Sequence, residues 1–353
     1  MTLYYAPAIF AYLLGRCFRS TPNSSSSSNS ISTTTVLNRF CLLGGTVILV
    51  FAAMWWPFLY FPPSQTVLPT ATEVPTPLER FFHVLHRIFP LQRGLFEGKV
   101  SNLWCALSVK PFSIRERLPG TFQPVAALGM TFLLMMPACI RLFRVGQGQV
   151  SIETASTSTT PTRTSNIDNS IGDWEALLWG SASTGLAFFL ASFQVHEKSI
   201  LMPLAPLTLL LWKDFSFVNW FGVVAAWTLW PLLCVDRLQT AYFCTIAIFL
   251  SLVWMCRGDK DSTKTLEGHR LVGFFGQHWI LQTIVPLSSL GMAGLHMLEL
   301  VVEPPAHLQD LFPVLWSVAG CGMFVIGWAG TCWHLYEDDT TKQMGDSRKE
   351  HTD

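Results

Sequence analysis

The chain alternates between long apolar runs and short polar joins. The runs fall at residues 3–17, 40–61, 121–140, 174–193, 199–213, 216–235, 239–256, 271–301 and 311–335. Several reach the roughly 20 residues that a helix needs to cross a hydrocarbon core. Their middles are almost free of Asp, Glu, Lys and Arg. The pattern predicts an all-α, polytopic membrane chain with about nine spanning helices over residues 1–335. The 199–213 run is short, and the 271–301 run is long and carries Pro286, so a tilted, kinked or doubled helix is expected there. The first run begins at Met1 with neither a basic leading region nor a small-residue cleavage site. It therefore does not read as a signal peptide, and it is expected to enter the chain in mid-protein.

Three kinds of segment depart from this pattern. Residues 78–120 are too polar to span, yet they hold Phe81, Phe82, Val84, Leu85, Ile88, Leu103 and Trp104. That mixture predicts a helical segment lying at the membrane interface. Residues 20–36 and 145–172 are rich in Ser and Thr and poor in large apolar side chains, which predicts flexible loops. The polar stretch 336–353 is expected to be a disordered tail. The sequon Asn23-Ser24-Ser25 lies in the first of the two loops.

Composition turns a membrane reading into a requirement. Half of the residues are hydrophobic, 13% are charged, and there are 14 Trp and 26 Phe, more than a soluble domain of this length can bury. The formal net charge is zero and the basic residues are spread over short joins, which excludes a nucleic-acid groove. Of the nine Cys, only Cys105 sits in a polar segment, and no CxxC or Cys/His spacing is present. Neither a disulfide framework nor a zinc site is indicated.

Charge also sets an expected orientation, because loops rich in Lys and Arg tend to stay cytosolic. With residues 78–120 in the lumen, most of the 23 Lys and Arg are cytosolic. The inverted arrangement leaves only Arg16, Arg19, Arg39, Lys110, Arg115, Arg117, Lys198 and Arg237 there. The first arrangement is the expectation. It puts the two loops and the tail in the cytosol, where the sequon would stay unused.

Two islands of charge are candidates for chemistry. In His196-Glu197-Lys198, three ionisable residues sit between two apolar runs, where a bare turn needs only one polar residue or a Gly. The other island places Arg93 and Glu97 at i, i+4 and Lys99 and Asn102 at i, i+3. Arg offers a planar fork and Lys a point charge for phosphate oxygens. The competing readings are a solvated turn and an amphipathic interfacial helix whose charges face water. His278, His296 and Glu299, in or beside the 271–301 run, invite a functional reading as intramembrane ionisable groups. They fit packing better. The pairs Gly291/Gly294, Gly320/Gly322 and Gly327/Gly330 predict close helix packing.

The stretches 89–105 (FPLQRGLFEGKVSNLWC) and 192–201 (SFQVHEKSIL) resemble signatures of the dolichyl-phosphate-glucose-dependent α-1,3-glucosyltransferases. They are most similar to members that add the first glucose to the lipid-linked oligosaccharide precursor of N-glycans. Gly98, Ser101 and Leu103 stand where the family usually has Asp, Ala and Phe. The resemblance implies a GT-C type membrane fold and a multi-pass location in the endoplasmic reticulum. It implies dolichyl-phosphate-glucose as donor and a dolichol-pyrophosphate oligosaccharide as acceptor. By the same resemblance His196, Lys198, Arg93 and Lys99 bind the donor phosphate, with Glu197, Glu97 and Asn102 orienting them. No metal or other cofactor is implied. An early luminal Asp-Tyr-Pro-Pro-like motif, whose Asp serves the family as base, has no counterpart here, and residues 2–14 resemble a mid-family helix. The expectation is a donor-binding portion to which no catalytic residue is assigned. The rival readings are a non-catalytic membrane protein of the same family and a polytopic transporter.

Overall fold

The structure is a computed structural model, and it describes residues 2–19, 32–60, 76–88, 100–148, 172–258 and 279–350. Every regular element among them is a helix. The chain divides into two compact units, Arg16–Gly94 and a larger one of Met1–Gly15 with Leu95–Asp353.

In the smaller unit, α2 (Thr33–Tyr60) buries no residue against protein. Its sequence VLNRFCLLGGTVILVFAAMWWPFLY explains how it can stand so exposed. The middle is apolar, and Trp55, Trp56 and Tyr60 gather at one end in the manner of an interfacial aromatic belt. It starts at Thr33, inside the stretch expected to be loop. Next comes α3 (Pro77–Ile88), opened by a reciprocal cap in which Thr76 N–H donates to Glu79 Oε2 (2.8 Å) and Glu79 N–H to Thr76 Oγ1 (3.3 Å). Arg80 Nη1 donates to the Leu59 carbonyl at 2.7 Å, and Phe81 meets Trp55 with ring centroids 5.2 Å apart. Leu78 and Phe82 remain exposed. α3 is thus a capped helix with an exposed apolar face.

The larger unit holds α1 (Ala6–Cys17), α4 (Leu103–Leu107), α5 (Ile114–Arg117), α6 (Gln123–Gln147) and α7 (Asp173–Ala191). It continues with α8 (Leu201–Thr208), α9 (Phe215–Thr228), α10 (Trp230–Val235), α11 (Gln239–Gly258), α12 (Trp279–Val301) and α13 (Leu311–Glu350). The centre is α7, packed by α6, α8 and α13. Its residues 180–187 (GSASTGLA) are all buried. Small side chains let neighbours approach: a Cβ on Gly180 would collide with Leu142, and one on Gly185 would stand 3.2 Å from Pro203. In a bilayer such packing supplies the association energy that hydrophobic burial supplies in water.

Along α13, Gly320, Gly327 and Gly330 face Ser101 and Thr228, Phe221, and Phe217 respectively. Gly322, Gly291 and Gly294 look onto open space. Half of the expected glycine contacts are thus present. Successive helical residues turn by about 100°, so Gly320 and Gly322 lie on opposite faces while Gly327 and Gly330 share one.

Among the described residues four helices are long and apolar enough to cross a membrane: Thr33–Tyr60, Gln123–Gln147, Gln282–Val301 and Leu311–Glu337. The chain is a multi-pass membrane protein. The 216–235 run is divided at Leu229 into α9 and α10, where Pro231 enters the first turn of α10 without an N–H to continue the ladder. Pro286, by contrast, is accommodated inside α12, which is one helix. Beyond Tyr336, where polar composition predicts disorder, α13 runs on to Glu350. At the start of this continuation Glu337 reaches back to His334 at i, i+3 (3.7 Å).

Candidate functional site

The His196 turn is displayed outward by its apolar neighbours. After α7 ends, Gln194 takes a left-handed φ of 62°, which reverses the chain, and Glu197–Ile200 forms a 3-10 turn with His196 at its N-cap. Val195 and Ile200 are buried. Between these two pegs His196 and Lys198 are exposed and Glu197 is half-buried. Lys198 Nζ lies 4.0 Å from Asp236 Oδ2, both side chains being well exposed, which makes that pair energetically weak.

The described end of the second island, from Val100 onward, is docked rather than displayed. Val100, Ser101, Asn102 and Trp104 are all buried. Asn102 Oδ1 accepts from Cys105 N–H at 2.8 Å and so caps α4, a structural use for a residue expected to orient phosphate ligands. Ser317 Oγ donates to the Val100 carbonyl at 2.6 Å. Trp104 Nε1 donates to the carbonyl of Ala191, the last residue of α7, at 2.7 Å. Burial pushes the Cys105 thiol up from its ordinary value, and nearby Glu197 adds to the rise while Arg115 opposes it. The thiol is therefore a packing group rather than a nucleophile. Arg93, Glu97 and Lys99 lie outside the described residues, as does His278. Of the candidate residues that are described, Asn102, His196, Glu197 and Lys198 all come to the same end of α7.

Two further polar clusters lie away from this turn, and only the first of them escaped the sequence reading. At the opposite end of α7, Lys213 Nζ lies 2.6 Å from Glu175 Oε2, and both side chains are largely buried. Alongside, Asp214 caps α9 through Phe217 N–H (2.9 Å) and stands 3.3 Å from His334 Nε2, whose ring stacks on Trp179 at 4.0 Å. The signal available was the Lys213-Asp214 pair itself, the two charged residues separating the 199–213 and 216–235 runs. The other cluster joins α10, α11, α12 and α13. Glu299 Oε2 accepts from Trp230 Nε1 at 2.7 Å, Tyr242 Oη meets His296 Nε2 at 3.2 Å, and the His296 ring stands edge-on to Trp230 and Trp316. His296 and Glu299 are engaged in packing, in line with the sequence reading. Among the described residues no three His, Cys, Asp or Glu gather in a way that could hold a metal.

Comparison with known proteins matches residues 1–330 to the ALG6, ALG8 glycosyltransferase family. The chain belongs to that family. A Gallus gallus relative named dolichyl pyrophosphate Man9GlcNAc2 alpha-1,3-glucosyltransferase is 31% identical over 337 residues, covering 92% of this chain and 56% of the relative. A Schizosaccharomyces pombe relative with the corresponding probable name is 30% identical over 331 residues, covering 92% and 51%. An Arabidopsis thaliana relative is 28% identical over 338 residues, covering 92% and 50%. The chain thus spans about half the length of the curated relatives it matches.

Proposed function

We propose that this chain serves α-1,3-glucosyl transfer from dolichyl-phosphate-glucose to a dolichyl-pyrophosphate-linked oligomannose, with the His196–Lys198 turn holding the donor phosphate. The relatives' names supply the acceptor and the linkage. The observation that carries the donor site is the anchored turn: Val195 and Ile200 are buried while His196 and Lys198 are exposed between them. The His196 ring N–H and the Lys198 ammonium at that place can donate to phosphate oxygens and offset their charge. That improves dolichyl phosphate as the leaving group while an acceptor hydroxyl attacks the glucose C1 from the opposite face. Glu197 orients the pair. Arg93, Lys99 and Glu97 belong to the same proposal through the family resemblance. The setting is a GT-C membrane fold of about nine spans in the endoplasmic reticulum, with this end of α7 facing the lumen.

The function is tested on the 353-residue chain in lipid nanodiscs. Dolichyl-phosphate-glucose is expected to bind, and dolichol, which lacks the phosphate, is not. Equal affinity for the two would overturn the phosphate reading. Orientation has its own test in microsomes: a sequon introduced beside Pro119 is expected to be glycosylated and one at Ser158 is not. The reverse pattern would put the turn in the cytosol.

A further inference from the structure

The end of α7 presents a problem that its own sequence does not solve. The last carbonyls of a helix have no intrahelical donor and need one from elsewhere. Ser192 N–H reaches back to Phe188, which satisfies one of them. The Ala191 carbonyl is met by the indole N–H of Trp104, 87 residues away in sequence and buried. Phe193, two residues on, packs against the cluster that Trp104 forms with Ala127. The chain therefore leaves α7 in a direction set by Trp104, and His196 follows three residues after Phe193. The far side of the turn is fixed by Ile200, which is fully buried.

Trp104 is itself held in place. It lies in the first turn of α4, whose N-cap is Asn102, and the preceding Val100 carbonyl is bonded by Ser317 of α13. The close seat of Ser101 follows from Gly320, one helical turn beyond Ser317, because a Cβ there would stand 2.6 Å from Ser101 Oγ. The whole linkage is buried and made of short hydrogen bonds, so it has little freedom to move apart from the helices it joins.

We propose that Trp104 is a positioning residue for the donor-phosphate turn, and that Ser317 supports it by fixing Val100. This rests on the reading of His196–Lys198 as the phosphate site. A charge-assisted hydrogen bond to phosphate demands placement to a few tenths of an ångström, and Trp104 is the group that fixes where the turn begins. The two family stretches are on this view one device, with 100–108 acting as the mount and 192–201 as the contact.

The test is a double-mutant cycle read as affinity for dolichyl-phosphate-glucose by the full chain in nanodiscs. Trp104→Phe keeps the ring and removes the N–H. In the wild-type background it is expected to weaken binding about fivefold, the size of one lost hydrogen bond. In a His196→Ala/Lys198→Ala background it is expected to change binding no further, because the groups it places are gone. An equal loss in both backgrounds, or none in the first, overturns the inference and leaves Trp104 a packing residue. Ser317→Ala should behave as Trp104→Phe does and Ser317→Thr should restore affinity. That pair decides the matter if Trp104→Phe fails to fold. If the double alanine variant binds as tightly as wild type, the donor-site reading itself is what has failed.

Discussion

Glu175→Ala is expected to lower stability by about 3–5 kcal/mol, the largest effect anticipated for any single substitution here. The loss comes from what remains rather than from what is removed. Lys213 Nζ lies 2.6 Å from Glu175 Oε2, and its stem is packed so that the ammonium stands 4.4 Å from the Trp212 ring centroid. Without the carboxylate, that cation is left largely out of water, with only a ring face to stabilise it. Glu175 also sits in the first turn of α7, where a negative charge complements the helix dipole. Thermal unfolding in detergent measures the effect. The companion variant Glu175→Leu/Lys213→Met should recover most of the loss, since well-packed apolar groups often replace a buried ion pair without penalty. A change below about 1 kcal/mol for Glu175→Ala would show that the pair is solvated and behaves like a surface bridge.

His196→Ala and Lys198→Ala are each expected to weaken donor binding by about 1.5–3 kcal/mol, the range for a hydrogen bond to a charged group. In affinity that is roughly tenfold to more than a hundredfold. Asp236 is a distant, exposed counter-ion of Lys198, so Asp236→Asn should leave donor affinity nearly unchanged. The comparison needs titrations with dolichyl-phosphate-glucose and with the oligosaccharide acceptor. The alanine variants should lose the first far more than the second. Equal losses for both ligands, or unchanged affinity, would return the turn to a solvated connector.

Apolar runs translated well into helices where a run is uninterrupted, as in α2, α6, α12 and α13. Periodicity and turn chemistry carried less where tertiary contacts decide. The break between α9 and α10 at Leu229 has a local mark in Pro231, but an apolar run alone does not show it, and the polar composition of α13 past Tyr336 hides that the helix continues. At the candidate site, charge surplus in a short join pointed to His196, Glu197 and Lys198, and the structure shows how they are presented. The linkage behind them was hidden. A Ser inside an apolar run and a Trp inside a polar one carry no direction, and only the fold brings Ser317 to Val100 and Trp104 to Ala191. Asn102 was read for its charge neighbours when its backbone position decides its use. The Glu175–Lys213 pair escaped for the same reason, its members being ordinary terminal charges until α7 and the α8–α9 join meet.

The central helix owes much of its hold in a bilayer to its neighbours. The Gly, Ser and Thr that let those neighbours close in contribute little to partitioning, and Asp173 and Glu175 in the first turn of α7 oppose it. A segment of that kind leaves the translocon reluctantly and is retained only once flanking helices receive it. Biogenesis of this chain is then ordered in time: α6 must already be in the membrane when α7 emerges, and α13, made after it, closes over it. A lesion in α13 would accordingly surface as failed integration of a helix synthesised well before it.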